Sequence, residues 1–188
     1  MNTYKHRARS LGSIFVIVGI IVLTLSNPVV GQEVAHGLAI ANVLTGLSVV
    51  SVQDLDFGDV LQGVAKTVGN NDALNSGIFM ISGLGGAGIS VYISLPEYLA
   101  TASGDDRMVV GFGATDCSVD STGNIDPSAF GDGWPDVNPY NLPTSLVVGS
   151  AGPNITAIFL GGRVTPSVDQ TSGPYSADIT VTVAYTGT

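Results

Sequence analysis

The chain has 188 residues, 45% of them hydrophobic and 11% charged, with six Lys or Arg against fifteen Asp or Glu and a formal charge of −9. That acidic excess repels phosphate backbones and anionic lipid surfaces and argues against nucleic acid as a partner. The single cysteine, Cys117, excludes an intrachain disulfide, so stability must come from core burial and sheet hydrogen bonds.

The first thirty-one residues read as a secretory signal peptide. Lys5, Arg7 and Arg9 precede an apolar run from Leu11 to Leu25, Asn27-Pro28 breaks it, and Val29-Val30-Gly31 offers a small-residue exit. The run falls short of the roughly twenty apolar residues of a membrane span, which is the rival reading. Cleavage is expected near Gly31–Gln32, with the segment helical if retained and the protein exported to the cell surface or beyond. The processed chain would keep only Lys66, Arg107 and Arg163 as fixed cations against all fifteen acids, a formal charge of −12. The mature domain is not expected to insert in a membrane.

Residues 32–42 form a short extension before a domain at 43–188. Val34, His36, Leu38 and Ile40 fall on one face of a strand, with Ala35, Gly37, Ala39 and Ala41 opposite. Such a segment can serve as a donor strand for a neighbouring chain or as the first strand of its own domain. Strands are predicted at 34–42, 44–53, 78–83, 88–95, 107–114, 144–149, 155–165 and 175–186, and no sustained helical stripe occurs. Ile89, Val91, Ile93 and Leu95 alternate with Ser90, Tyr92 and Ser94 before Pro96 removes a ladder donor. Met108, Val110 and Phe112 form another inward set. Tyr175, Ala177, Ile179, Val181, Val183 and Tyr185 alternate with polar residues over the last long strand. Short alternating strands separated by Gly, Asn, Asp, Ser and Pro predict an all-β, antiparallel sandwich with one wet face.

Residues 115–143 interrupt that rhythm as a long, acidic, turn-rich insertion. Asp120, Asn124, Asp126, Asp132, Asp136 and Asn138 supply hard oxygen atoms of the kind calcium prefers, although the EF-hand order is missing. Trp134 and Tyr140 could stack on a sugar ring. Asp and Asn also simply make turns, and an aromatic can pin a loop without any ligand. Nothing argues for an enzyme: His36 is the one histidine beyond the leader, and no Gly-x-Ser-x-Gly or His-Glu-x-x-His occurs. The adjacent Asp105-Asp106 sits in a turn and looks solvated. No cofactor is implied, with calcium the one ion the loop could hold.

Three segments together resemble one family. Leu55-Asp56-Phe57-Gly58-Asp59-Val60 is similar to an early L-x-F-G-x-[VI] motif. Phe79-Met80-Ile81-Ser82-Gly83 followed by Val91-Tyr92-Ile93-Ser94-Leu95-Pro96 is similar to its F-x-V-x-G and Y-x-I-x-L-P hairpin. Leu160-Gly161-Gly162-Arg163-Val164 and Gln170-Thr171-Ser172-Gly173-Pro174-Tyr175-Ser176 are similar to its ending. The chain thus resembles an uncharacterised secreted bacterial β-sandwich family allied to the common-pilus (Mat/Ecp) fimbrillins, over about residues 43–186. Ala177-Asp178 and the long acidic 115–143 stretch depart from the pattern. The resemblance implies an immunoglobulin-like sandwich and self-association into a surface fibre or pilus by β-strand donation. The alternative is a monomeric surface module that uses 115–143 to bind calcium, a glycan or a matrix partner. The family supplies no catalytic residues.

Overall fold

Short runs of β-branched and aromatic residues, bounded by Gly, Pro, Asn and Asp, give eleven strands among the described residues. They are β1 (Ser48–Gln53), β2 (Lys66–Val68), β3 (Gly77–Ser82), β4 (Ile89–Ser94), β5 (Tyr98–Ala100), β6 (Arg107–Gly111), β7 (Cys117–Asp120), β8 (Gly133–Val137), β9 (Ile155–Leu160), β10 (Gly162–Thr165) and β11 (Thr180–Tyr185), with one 3-10 turn at Pro127–Ala129. This is a computed structural model, which describes Leu38, Ile40, Ala41, Val43 and residues 46–187. The expected signal peptide, 1–31, and Val34 and His36 of the candidate donor strand lie outside those residues. The chain divides into two compact units, Met1–Asn42 and Val43–Thr188.

The second unit is all-β, and every strand pairing in it is antiparallel. A five-stranded sheet runs β1-β3-β9-β7-β8, a four-stranded sheet runs β2-β10-β6-β5, and β11 pairs with β4; none closes into a barrel. The main core lies between the five-stranded sheet and the β4–β11 pair. Phe79, Ile81, Cys117, Val119, Ile158 and Leu160 come from the first, Ile89 and Ile93 from the second, and Leu146 and Val148 from a connecting segment. Ile179, Val181, Val183 and Tyr185 of the last strand pack against it, while Thr180, Thr182 and Ala184 stay exposed. A second core of Phe57, Val68, Met108, Val110 and Val164 covers the inner face of the four-stranded sheet. The opposite face of the five-stranded sheet buries Ile78, Ala157 and Phe159 under Phe130. This explains why β9 is buried along both faces and reads as an unbroken apolar run.

Several strand expectations need correction. The predicted strand 144–149 makes one isolated bridge, Val147 to Gly88, because its backbone is partly taken by a side chain. Thr156 Oγ1 donates to the Val147 carbonyl at 2.9 Å and accepts from Gly149 N at 2.9 Å. The predicted strand 155–165 breaks at Gly161, where the chain leaves the five-stranded sheet as β9 and enters the four-stranded sheet as β10. A Cβ at Gly161 would lie 2.5 Å from the Val68 carbonyl oxygen and 2.6 Å from Asn70 N, so only glycine permits this crossing. The predicted 175–186 strand is regular only over β11. Before that it touches β5 through the bridge Ala100 to Ser176, because Pro96 has already separated β4 from β5. Residues 115–143 contain β7, the 3-10 turn and β8. β7 sits inside the five-stranded sheet, paired with both β9 and β8.

Candidate functional site

Two segments outside any regular ladder, 54–62 and 170–179, stand over the inner face of the four-stranded sheet and leave a cleft of about 1110 Å³. Its floor is apolar, because the alternation of β6 and β10 turns Met108, Val110 and Val164 inward, with Leu99 and Phe112 beside them. Phe57 enters from the first wall. Asp56 makes that possible: its Oδ1 accepts from Gly58 N at 2.7 Å, and Gly58 takes φ +55°, a left-handed conformation suited to glycine. Asp56 N donates to the Asn75 carbonyl at 2.9 Å, anchoring the wall beside β3.

The second wall is held by one carboxylate. Asp106 Oδ2 accepts from Thr171 N at 2.8 Å and from the Tyr175 hydroxyl at 2.7 Å, while Oδ1 accepts from Arg107 N at 2.8 Å. Gln170 adds three contacts. Its Nε2 donates to the Arg107 carbonyl at 3.2 Å and to Tyr175 Oη at 3.1 Å, and its Oε1 accepts from Ser167 N at 3.1 Å. The Gln62 amide donates to the Gln170 carbonyl, tying the two walls together at one end. The hydrogen bond from Tyr175, then that from Thr171, holds the Asp106 carboxyl well below the usual carboxylate range. Tyr175 moves the other way: desolvation and its bond to Asp106 raise the phenol. Asp105 is exposed and Asp106 only half-buried, as a solvated turn implies, yet Asp106 is also the hub of this clasp.

Among the described residues the cleft is electrically one-sided: Asp54, Asp56, Asp59 and Asp178 line it, and no described lining residue is Lys, Arg or His. Asp54 and Asp178 accept no hydrogen bond and join no ion pair among the described residues. Asp56 serves its own turn, and Lys66 Nζ donates to the Asp59 carbonyl at 3.1 Å, partly offsetting the charge there.

The residues singled out at 115–143 are spread over the end of β7, the turns that follow, β8 and the turn after it. Asp120 is fully buried, and its carboxylate accepts from Thr122 N at 2.7 Å, Thr122 Oγ1 at 2.6 Å and Gly131 N at 2.6 Å. Asn124 Nδ2 donates to the Asp126 carbonyl at 3.1 Å, and Asp126 Oδ1 caps the 3-10 turn by accepting from Ser128 N at 2.9 Å. Asp132 Oδ1 accepts from Gly133 N, Asn138 Oδ1 from Tyr140 N, and Asp136 from the Asn70 amide. Among the described residues no group of three or more His, Cys, Asp or Glu is arranged to hold a metal ion. Trp134 pairs with Val119 and packs against the main core, while the Tyr140 ring meets Phe112 edge-on at 6.5 Å. Leu38 and Ile40, the described members of the candidate donor strand, are 86% and 79% exposed. Cys117 is fully buried in β7, where burial and then the charge of Asp116 push its thiol up to about 12.

Sequence reasoning missed Asp106, Gln170 and Tyr175 as a cluster. Gln170 and Tyr175 lay in a recognised motif, but their partner is over sixty residues away from each of them along the chain and carries no local signal. Comparison with protein families, with curated proteins and with solved structures finds no match for this chain. Fold and site therefore define a class and no more: an all-β protein of antiparallel sheets with an open, apolar-floored, acid-rimmed cleft.

Proposed function

We propose that this chain is a secreted structural subunit of a bacterial surface fibre, an immunoglobulin-like sandwich that assembles by accepting an extended strand from a neighbour. The observation that carries the reading is the cleft. Its floor is the apolar face of regular strands, and its two walls, 54–62 and 170–179, present backbone that enters no ladder beyond a single bridge. A β-strand satisfies both surfaces at once, with alternate side chains buried on the floor and its backbone paired at the walls. The chain supplies a matching donor in residues 34–41, where Val34, His36, Leu38 and Ile40 alternate with Ala and Gly. Leu38 and Ile40, the two described residues of that face, are exposed. The segments Leu55–Val60 and Gln170–Ser176, which carry part of the resemblance to fimbrillins, are the cleft walls. A calcium or glycan module built on 115–143 draws no comparable support, since its side-chain oxygens are engaged by neighbouring amides and hydroxyls.

The test is assembly. Concentrated protein processed at its leader should form fibres visible by electron microscopy, and deletion of residues 32–42 should leave monomers with an unchanged far-ultraviolet spectrum. Fibres that persist after the deletion would rule out this donor.

A further inference from the structure

The two ends of the cleft are unlike. At one end the first wall closes onto the chain that leads into the second. Gly63 N donates to the Ser167 carbonyl at 2.9 Å, and the Gln62 amide donates to the Gln170 carbonyl. Just beyond, the first wall joins the edge of the floor sheet as β2, paired with β10. At the other end the walls continue as β1 and β11, which lie close together but share no ladder. An occupant that runs on past the first end must break the bonds between the walls. One that leaves by the second end breaks no ladder. Only a chain terminus therefore fills the cleft as far as Gln62 and Gln170. The amides of these two residues make that end polar, so a charged terminus meets polar groups while the apolar residues behind it meet the floor.

Resting on the strand-insertion reading, we infer that the cleft is a blind groove for a free amino terminus, that of residues 32–41 of a second copy after its leader is removed. The alternating stretch 34–41 precedes its own domain, so the end it offers is the amino one. This fixes the direction of the strand. Its amino end lies at Gln62 and Gln170, and the chain runs out toward β1 and β11 to reach its own domain. The first wall runs from 54 to 62 toward the closed end, and the second runs from 170 to 179 away from it. The donated strand is therefore antiparallel to the first wall and parallel to the second. Val34 sits deep and Ile40 near the exit, about 20 Å apart at about 3.3 Å per residue. Assembly is thereby coupled to processing: with residues 1–31 still attached, the strand has no end to seat.

The experiment uses the processed full chain with pairs of introduced cysteines, oxidised during assembly and read as covalent ladders on denaturing gels. Native Cys117 is fully buried and does not compete, whereas Leu61, at the closed end, is exposed. Val34→Cys with Leu61→Cys should link neighbouring subunits, as should Ile40→Cys with Asp54→Cys, while Ile40→Cys with Leu61→Cys should not. A second arm adds a short Gly-Ser segment ahead of Gln32 or, as a control, after Thr188. The first addition should weaken assembly by at least about tenfold, from loss of the two hydrogen bonds between the walls, and the control should leave it unchanged. The reverse linking pattern, equal ladders from both Leu61 pairs, or full assembly with the amino-terminal addition overturns the inference while leaving strand insertion intact. If no pair links, insertion into this cleft itself fails and this inference fails with it.

Discussion

Replacing Asp120 with alanine tests how the 121–132 segment is held against the five-stranded sheet. The side chain is fully buried at the end of β7, and its carboxylate accepts three hydrogen bonds, two of them from the backbone amides of Thr122 and Gly131. Alanine leaves both amides without that acceptor, at about 1–3 kcal/mol for each group that stays dry. Relief of a buried carboxylate's desolvation offsets part of this, so the net loss should be about 3 kcal/mol. Asp120→Asn keeps one acceptor oxygen for Thr122 but presents a donor toward Gly131, and should lose roughly half as much. Urea unfolding followed by Trp134 emission is the assay, since Trp134 pairs with Val119, next to Asp120 in β7. With a slope near 2 kcal/mol per molar, the alanine variant's midpoint should fall by about 1.5 M. A fall of less than about 0.5 M, under about 1 kcal/mol, would refute the idea that this carboxylate anchors the segment.

Acid should loosen the second wall of the cleft. The folded Asp106 carboxyl lies below its unfolded value, so its stabilising contribution is complete above the ordinary range near about 3.9 and is lost as pH falls below it. Asp72 and Asp169 are lowered too, so the comparison must be with Asp106→Asn, whose melting temperature should be lower at neutral pH and decline less on acidification. Parallel acid profiles for the two proteins would remove Asp106 from the explanation. Cys117 should resist thiol reagents in the folded protein, because its thiol is raised to about 12 and fully buried. Its modification should follow global unfolding in urea, and rapid labelling of native protein would contradict its placement in β7. Gly161→Ala should cost at least about 2 kcal/mol, since the new methyl group meets backbone atoms of residues 68–70 that cannot swing aside. Thermal melting measures this, and a neutral result would mean the β9–β10 crossing has room that the structure denies it.

Part of this architecture is legible one strand at a time. In β4 and β11 the side-chain period of two already says which residues face a core: Ile89, Ile93, Val181 and Val183 turn inward while Ser90, Ser94, Thr180 and Thr182 stay in solvent. The same period marks Met108 and Val110 of β6. It fails where a strand's polar residues are buried. Ser118 and Asp120 of β7 look like loop residues, yet Ser118 Oγ is bonded by Asn70 and by Asp136 N, and Asp120 anchors the following turn. Whether Cys117–Asp120 is a strand is decided by pairing with β9, some forty residues away, and no local pattern encodes that.

The cleft lies at the far end of this scale. Gln62 and Gln170 are 108 positions apart, and Asp106 and Tyr175 are 69 apart, yet these contacts shape its walls. Composition and alternation determined an acidic chain of antiparallel strands, because charge counts and side-chain period are properties of short stretches. Tertiary structure alone decided that β9 and β10 part at Gly161, that Asp106 clasps the last connection, and that two unladdered segments stand apart over an apolar floor. Those facts depend on which distant backbones and side chains find one another once the sheets have packed.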